Sequence, residues 1–324
     1  KSSNMKYFVS LLLSSLIISQ SFSQDNAYFL SNPTLTPDGQ IVIFSFEGDI
    51  WKANVDDGQA VRVTAMQGYE TSARVSPDGK WIAFTSNRSG SPSVYIVSAK
   101  GGDATRLTWH PSPSVARGWS NDGKQVLYAS ERETAPSTYL RLWTVPTTGG
   151  PSALLAKQWG FDGSYSPDGK RMVIDKMDRW DVEWRAYRGG QNTPLIILNL
   201  ADYSETLLPN DRSTDIQPLW LGDKIYFMSD RNGGVSNIWS YTPGAGTLKQ
   251  VTKFTGADVK WLSGYGSTLV YEREGWLHRI DLNGSNQKQL DITVVGDFPW
   301  SAPRWENVGR RISWASLSPT GKRA

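Results

Sequence analysis

The chain has 324 residues, no cysteine, a formal charge of +3, and aromatics that include 15 Trp and 13 Tyr. This length suits one large all-β domain or two small ones, and zero cysteine excludes disulfides, Cys-ligated metals and a lipid-modified N-terminal Cys. Without Lys1 and Lys6, residues 24–324 carry +1 and hold no dense Lys/Arg run, which argues against a nucleic-acid partner.

Residues 1–4 precede the start-like Met5 and read as an extraneous leader. Residues 5–23 read as a signal peptide: Lys6 supplies the charge, residues 8–18 the apolar run, and Ser21 and Ser23 the small residues before cleavage at Gln24. The apolar run is short for a bilayer span. The expectation is export, to the periplasm or outside, with no membrane attachment after cleavage.

From Ala27 onward one pattern recurs. A turn of the Ser-Pro-Asp-Gly-Lys type occurs at 36–40, 76–80, 120–124 and 166–170, and in shortened form at 221–224 and 263–266. An apolar run follows each turn, for example Ile41-Val42-Ile43-Phe44 and Trp81-Ile82-Ala83-Phe84. A second short strand then leads into a tail: GQAVRVT at 58–64, GDATRLT at 102–108 and GTLKQVT at 246–252, with worn copies at 150–156, 204–210 and 284–290. The tails recur every 38 to 54 residues, and a unit of that size is one supersecondary element that cannot bury its faces alone. Proline sets φ at the first corner of the turn, Asp bonds its own backbone, and Gly takes a positive φ. The apolar runs fit strands buried on both faces. The reading is an all-β six-bladed propeller with four-stranded antiparallel blades over residues 27–300. Residues 301–324 read as a connector and, from the turn-like 318–322, as the start of a following propeller; closure of the ring by a last strand is the alternative.

The search for chemistry finds little. His110 and His278 lie in separate repeats without metal or triad context, and there is no Gly-x-Ser-x-Gly elbow, His-Glu-x-x-His or phosphate-binding loop. Asp38, Asp78, Asp122 and Asp168 recur with the turn and read as turn residues, because an active site is one place. No residue is therefore assigned a catalytic, metal-binding or cofactor-binding role. The longest interval carries an aromatic and charged segment, 176–191, with Trp180, Trp184, Arg185, Tyr187 and Arg188 as a candidate protein-contact loop. The alternative is a solvated rim loop with internal ion pairs.

Several segments resemble the tricorn-like serine proteases. Residues 46–51 (FEGDIW) resemble that family's eGD(L/I)W strand, 187–190 (YRGG) its RYRGG loop with Ala186 in place of the first Arg, and 230–239 its DRdG…NlW blade. Residues 316–324 (SLSPTGKRA) resemble the segment that opens the family's next propeller. The resemblance implies a non-catalytic six-bladed propeller, of the TolB/tricorn-like kind, that filters peptides for serine protease domains elsewhere in the protein. Its implied partners are peptides, those downstream domains and further copies of the chain. The founding members are cytoplasmic, so the signal peptide departs from the family. Two alternatives are a free-standing TolB-like periplasmic binding propeller and the propeller of a prolyl-oligopeptidase-like enzyme.

Overall fold

The turns that mark the sequence repeat fold by one set of hydrogen bonds. In Asp38, Asp78, Asp122 and Asp168, Oδ1 accepts the hydroxyl of the Thr or Ser two residues earlier at 2.5–2.6 Å. The same oxygen accepts the amide two residues later at 3.0–3.1 Å. The glycine that follows each Asp has φ between 67° and 73°, which a side chain disfavours. These contacts come from a computed structural model that describes residues 27–137, 139–156, 158–176, 188–190, 192, 194–232, 234–296, 298, 305, 307, 309–311 and 313–322. The leader and signal-peptide readings lie outside the described residues.

Each turn joins the first two strands of a blade. Blade one is β1 (Ser31–Leu35), β2 (Ile41–Phe46), β3 (Asp49–Asn54) and β4 (Gln59–Arg62); blade two is β5 (Glu70–Val75), β6 (Trp81–Ser86), β7 (Ser93–Ser98) and β8 (Thr105–Arg106). Blade three is β9 (Ser114–Trp119), β10 (Gln125–Ser130), β11 (Arg141–Pro146) and β12 (Ala153–Leu154); blade four is β13 (Asp162–Tyr165), β14 (Arg171–Asp175), β15 (Ile196–Asn199) and β16 (Glu205–Leu207). Blade five is β17 (Asp215–Leu221), β18 (Lys224–Ser229), β19 (Asn237–Thr242) and β20 (Thr247–Gln250); blade six is β21 (Val259–Tyr265), β22 (Thr268–Arg273), β23 (Trp276–Asp281) and β24 (Lys288–Gln289). Within each blade, neighbours in sequence pair antiparallel. First strands pack on first strands around the ring, and β1 meets β21 to close it. The described residues contain no helix.

The second strand of every blade is buried on both faces, as its unbroken apolar run predicts. Alternate side chains serve opposite neighbours. Ile82 and Phe84 join the core shared with blade one, whereas Ala83 between them joins the core shared with blade three. Tyr128 and Leu127 divide in the same way, as do Phe227 and Tyr226. The structure also explains the tail. Thr64, Thr108 and Thr252 are buried, and their hydroxyls accept the amides of Ile50, Val94 and Ile238 in the third strand at 2.9–3.0 Å. The threonine thus satisfies a buried donor just where the outer strand ends.

A short strand, β25 (Thr293–Val294), adds to the outer edge of blade one, parallel to β4. Gly58 makes room for it. Its φ is +69°, and a Cβ there would lie 1.9 Å from the Asp291 carbonyl oxygen. Gly58→Ala is expected to expose the Thr293 amide, which donates to the Gly58 carbonyl, and the Ala27 amide, which donates to Ile292. Hydrogen exchange reads this directly; unchanged protection at both amides would count against the account. The chain divides into two compact units at Val295. In the second, the described residues form no strand, and Gly321, with φ 67°, donates to the Ser318 carbonyl as the blade turns do.

The turn aspartates tie stability to pH. The Ser or Thr hydroxyl, then the backbone amide, hold all four carboxyls below the usual range. A folded-state value below the unfolded one, about 3.9, stabilises the fold at higher pH and ceases to do so as pH falls through the folded value. Burial raises Asp49 and Glu272, which act in the opposite sense. A variant comparison isolates the turn: Asp78→Asn should melt below wild type at neutral pH, with the gap narrowing as pH falls below about 4. A gap that stays constant would refute it.

Candidate functional site

The six first strands line the axis, and five of them are not regular. In blades one, two, three, five and six the first strand holds one residue more than its partner between matched pairs. Such bulges twist a strand and re-aim its side chains. In four of them a non-glycine residue has positive φ: Asn32, Ser72, Gln217 and Trp261, at 50–56°. In blade three the extra residue is Arg117.

The bulges free polar groups that bond across blades. Asn32 Nδ2 donates to Thr71 Oγ1, the Ala116 amide to Thr85 Oγ1, the Gln217 amide to Asp175 Oδ2, and the Leu262 amide to Gln217 Oε1, at 2.9–3.1 Å. Between blades two and three, Arg74 Nε donates to the Arg117 carbonyl and Trp119 Nε1 to the Arg74 carbonyl, at 3.0 and 2.9 Å. This girdle fixes the walls of the channel.

Inside the girdle lies a cavity of about 190 Å³, lined by β5, β9, β13, β17 and β21 residues. Its charged lining residues are Arg74, Arg117 and Asp162. Burial lowers the Arg117 guanidinium to about 10; Asp162 raises it and Arg74 lowers it further, so it is still charged at neutral pH. Burial likewise lowers Arg74, against the pull of Asp162. Tyr165, on the same wall, is pushed up to about 12 by burial and then by Asp122. At the mouth, on the side of the Pro-Asp-Gly turns, the Tyr265 hydroxyl of blade six donates to the Pro77 carbonyl of blade two at 3.2 Å. That side chain bars part of the opening.

The opposite side of the ring carries the connections between blades. Met66, Tyr69, Trp109 and Trp159 all lie in those connections and are exposed, as is Phe29 just before β1. The segment from β14 to β15 starts and ends on the same side. Of the predicted contact residues, Trp180, Trp184, Arg185 and Tyr187 lie outside the described residues. Arg188 reaches into blade five: Nη1 donates to Asp230 Oδ2 at 2.9 Å, and Asp230 Oδ1 accepts the Thr214 amide at 2.8 Å. Arg188 thus ties that connection to the neighbouring blade.

Among the described residues, each histidine has an ordinary structural contact. His110 Nδ1 accepts the Ser112 amide. His278 stacks on Tyr271 with ring centroids 5.3 Å apart, and burial lowers its pKa. Among the described residues no group of acidic and histidine side chains is arranged to hold a metal. Sequence reasoning missed Arg74, Arg117 and Asp162. A signal was present: each is a charge a few residues before a repeat turn, inside a strand otherwise apolar or small (SARV, VARGW, FDGSY).

The ring matches known proteins. A family model described as the tricorn protease N-terminal beta propeller domain matches residues 27–286. The chain belongs to this family. It is 32% identical over 278 residues to Tricorn protease homolog 1 of Streptomyces coelicolor, covering 83% of this chain but 26% of that protein. The tricorn protease crystal structure matches with a TM-score of 0.74 and 20% identity, over 84% of this chain and 27% of that one. A TolB-like structure from Agrobacterium tumefaciens matches with a TM-score of 0.62 and 18% identity, over 77% and 87% of the two chains, and shares the fold alone. The chain therefore spans about a quarter of the length of these two tricorn proteins.

Proposed function

We propose that this tricorn-type propeller is the non-catalytic gating and scaffold part of an exported serine peptidase acting on peptides. The observation that carries the reading is the family match over residues 27–286. The axial cavity supports it, with Arg74, Arg117 and Asp162 on its walls, a tyrosine across its mouth, and no nucleophile beside a base among the described residues. β25 runs parallel to β4, so the chain leaves the ring on the side with the exposed aromatics. Those aromatics suit packing against protease domains or further copies of the protein. The contact loop with Trp180, Trp184, Arg185 and Tyr187 belongs to the same proposal, as does export with cleavage before Gln24.

The test compares residues 24–324 with the full-length gene product on a mixed peptide library. The propeller alone should give no turnover, and the full-length product should give turnover that serine-protease inhibitors abolish. Turnover by the propeller alone, surviving repurification and those inhibitors, would overturn the scaffold reading. A full-length product without serine peptidase domains would favour the free-standing binding propeller instead. N-terminal sequencing of exported protein checks the compartment: a first residue other than Gln24 contradicts the cleavage assignment.

A further inference from the structure

The turns on the mouth side form a frame. Around the rim, the turn of one blade packs on the turn of the next. A Cβ on Gly79 would lie 3.1 Å from Pro37 and one on Gly123 3.6 Å from Pro77, and Asn121 Nδ2 donates to the Ser166 and Pro167 carbonyls at 2.8 and 3.2 Å. This interlock covers blades one to four. Blades five and six turn with two residues each, Gly222-Asp223 and Gly266-Ser267, and leave the frame open there. Tyr265, the last residue of β21, reaches from that open side past blade one to the Pro77 carbonyl of blade two. The bond of 3.2 Å is long for a hydroxyl donor, which ordinarily sits about 2.7–2.8 Å from its acceptor. The residue is 37% exposed, and a Cβ on the adjacent Gly266 would meet nothing within 4 Å, so the tip that carries Tyr265 is not packed in.

We propose that Tyr265 is a movable bar on the axial cavity, closed while its hydroxyl holds the Pro77 carbonyl and open when the side chain turns out to solvent. The interlocked turns are the fixed side of this door, and one side chain on a short hairpin is the moving side. Opening breaks a single hydrogen bond, and a bond of that kind biases the side chain toward the closed state by about 2- to 12-fold. Closed and open states are therefore both within thermal reach. The bar deepens the gating reading above and rests on it only for what passes, which in that reading is a peptide.

The chain has no cysteine, so one introduced thiol reports access to the cavity. Ser263, 8% exposed, lines the cavity two residues before Tyr265. In the full chain carrying Ser263→Cys, the rate of alkylation by N-phenylmaleimide, an uncharged reagent with one ring, is followed by intact mass. Adding Tyr265→Phe keeps the ring and removes the bond, and should speed the reaction about 2- to 12-fold. Tyr265→Ala removes the bar itself and should speed it further than Tyr265→Phe does. Tyr203→Ala, which removes an exposed tyrosine from the β15–β16 turn of blade four, should leave the rate unchanged. An unchanged rate with Tyr265→Ala overturns the proposal. A rate that rises with Tyr265→Ala but not with Tyr265→Phe makes the ring a fixed plug and also overturns it, as does equal acceleration by Tyr203→Ala. Should Ser263→Cys fail to fold, a thiol at Leu221, which also lines the cavity, gives the same comparison. The readout is access and not turnover, so its failure and that of the peptidase reading are distinguishable.

Discussion

Asp215→Ala is expected to lower the unfolding free energy by about 3–5 kcal/mol, the usual cost of leaving one member of a buried ion pair alone. Asp215 opens β17 and is fully buried. Its carboxylate accepts Arg231 Nη2 at 2.5 Å, Asn210 Nδ2 at 2.7 Å and Ser213 Oγ at 3.0 Å. The guanidinium of Arg231 lies over Phe227 and Trp239, 5.4 and 5.2 Å from their ring centroids, and cannot swing out to water without leaving both. Truncation therefore strands a positive charge against two aromatic rings of blade five. Urea unfolding measures the effect, with the midpoint falling and the slope unchanged. By contrast, Glu274→Ala, which removes an exposed partner of Arg273, should cost less than about 1 kcal/mol. A loss at Asp215 as small as that would mean water reaches Arg231.

Phe84→Ala is expected to cost about 3–5 kcal/mol, the range for deleting a buried phenyl group. Phe84 sits mid-strand in β6 with no exposed surface, in the core between blades one and two with Ile43 and Ile50. It stacks on Tyr95 at 5.8 Å, and the Arg88 guanidinium lies 5.5 Å from its ring. Cores between rigid sheets collapse poorly around a void, which favours the upper part of the range. Trp81→Ala in the same strand is the control: its side chain is 43% exposed, and its loss should cost about 1 kcal/mol. Similar losses at the two positions would show that Phe84 is not the wedge between these blades.

The two predictions rest on features of different legibility. Phe84 could be placed from sequence, because an unbroken apolar run after a Pro-Asp-Gly turn has only one way to be buried. The ion pair could not: Asp215 opens β17 and Arg231 lies 16 residues on, in the turn after β18, and their mutual burial depends on how blade five packs. The tail threonines show an intermediate case. Their recurrence was plain in sequence, and only the fold revealed that each caps a buried amide of the third strand.

The sequence by itself determined the number of blades, the turns and the strand order within each blade. These follow from hydrogen bonds within a few residues and from side-chain alternation along one strand, and both are written locally. Only the tertiary structure brought Arg74, Arg117 and Asp162 to one cavity, set Tyr265 against Pro77 across the mouth, and laid β25 beside β4. Those groups come from different blades, and their meeting depends on a ring of six closing at a fixed radius. A bulge adds one residue to a strand and turns a side chain toward the axis, a displacement that no period of two along the chain can announce.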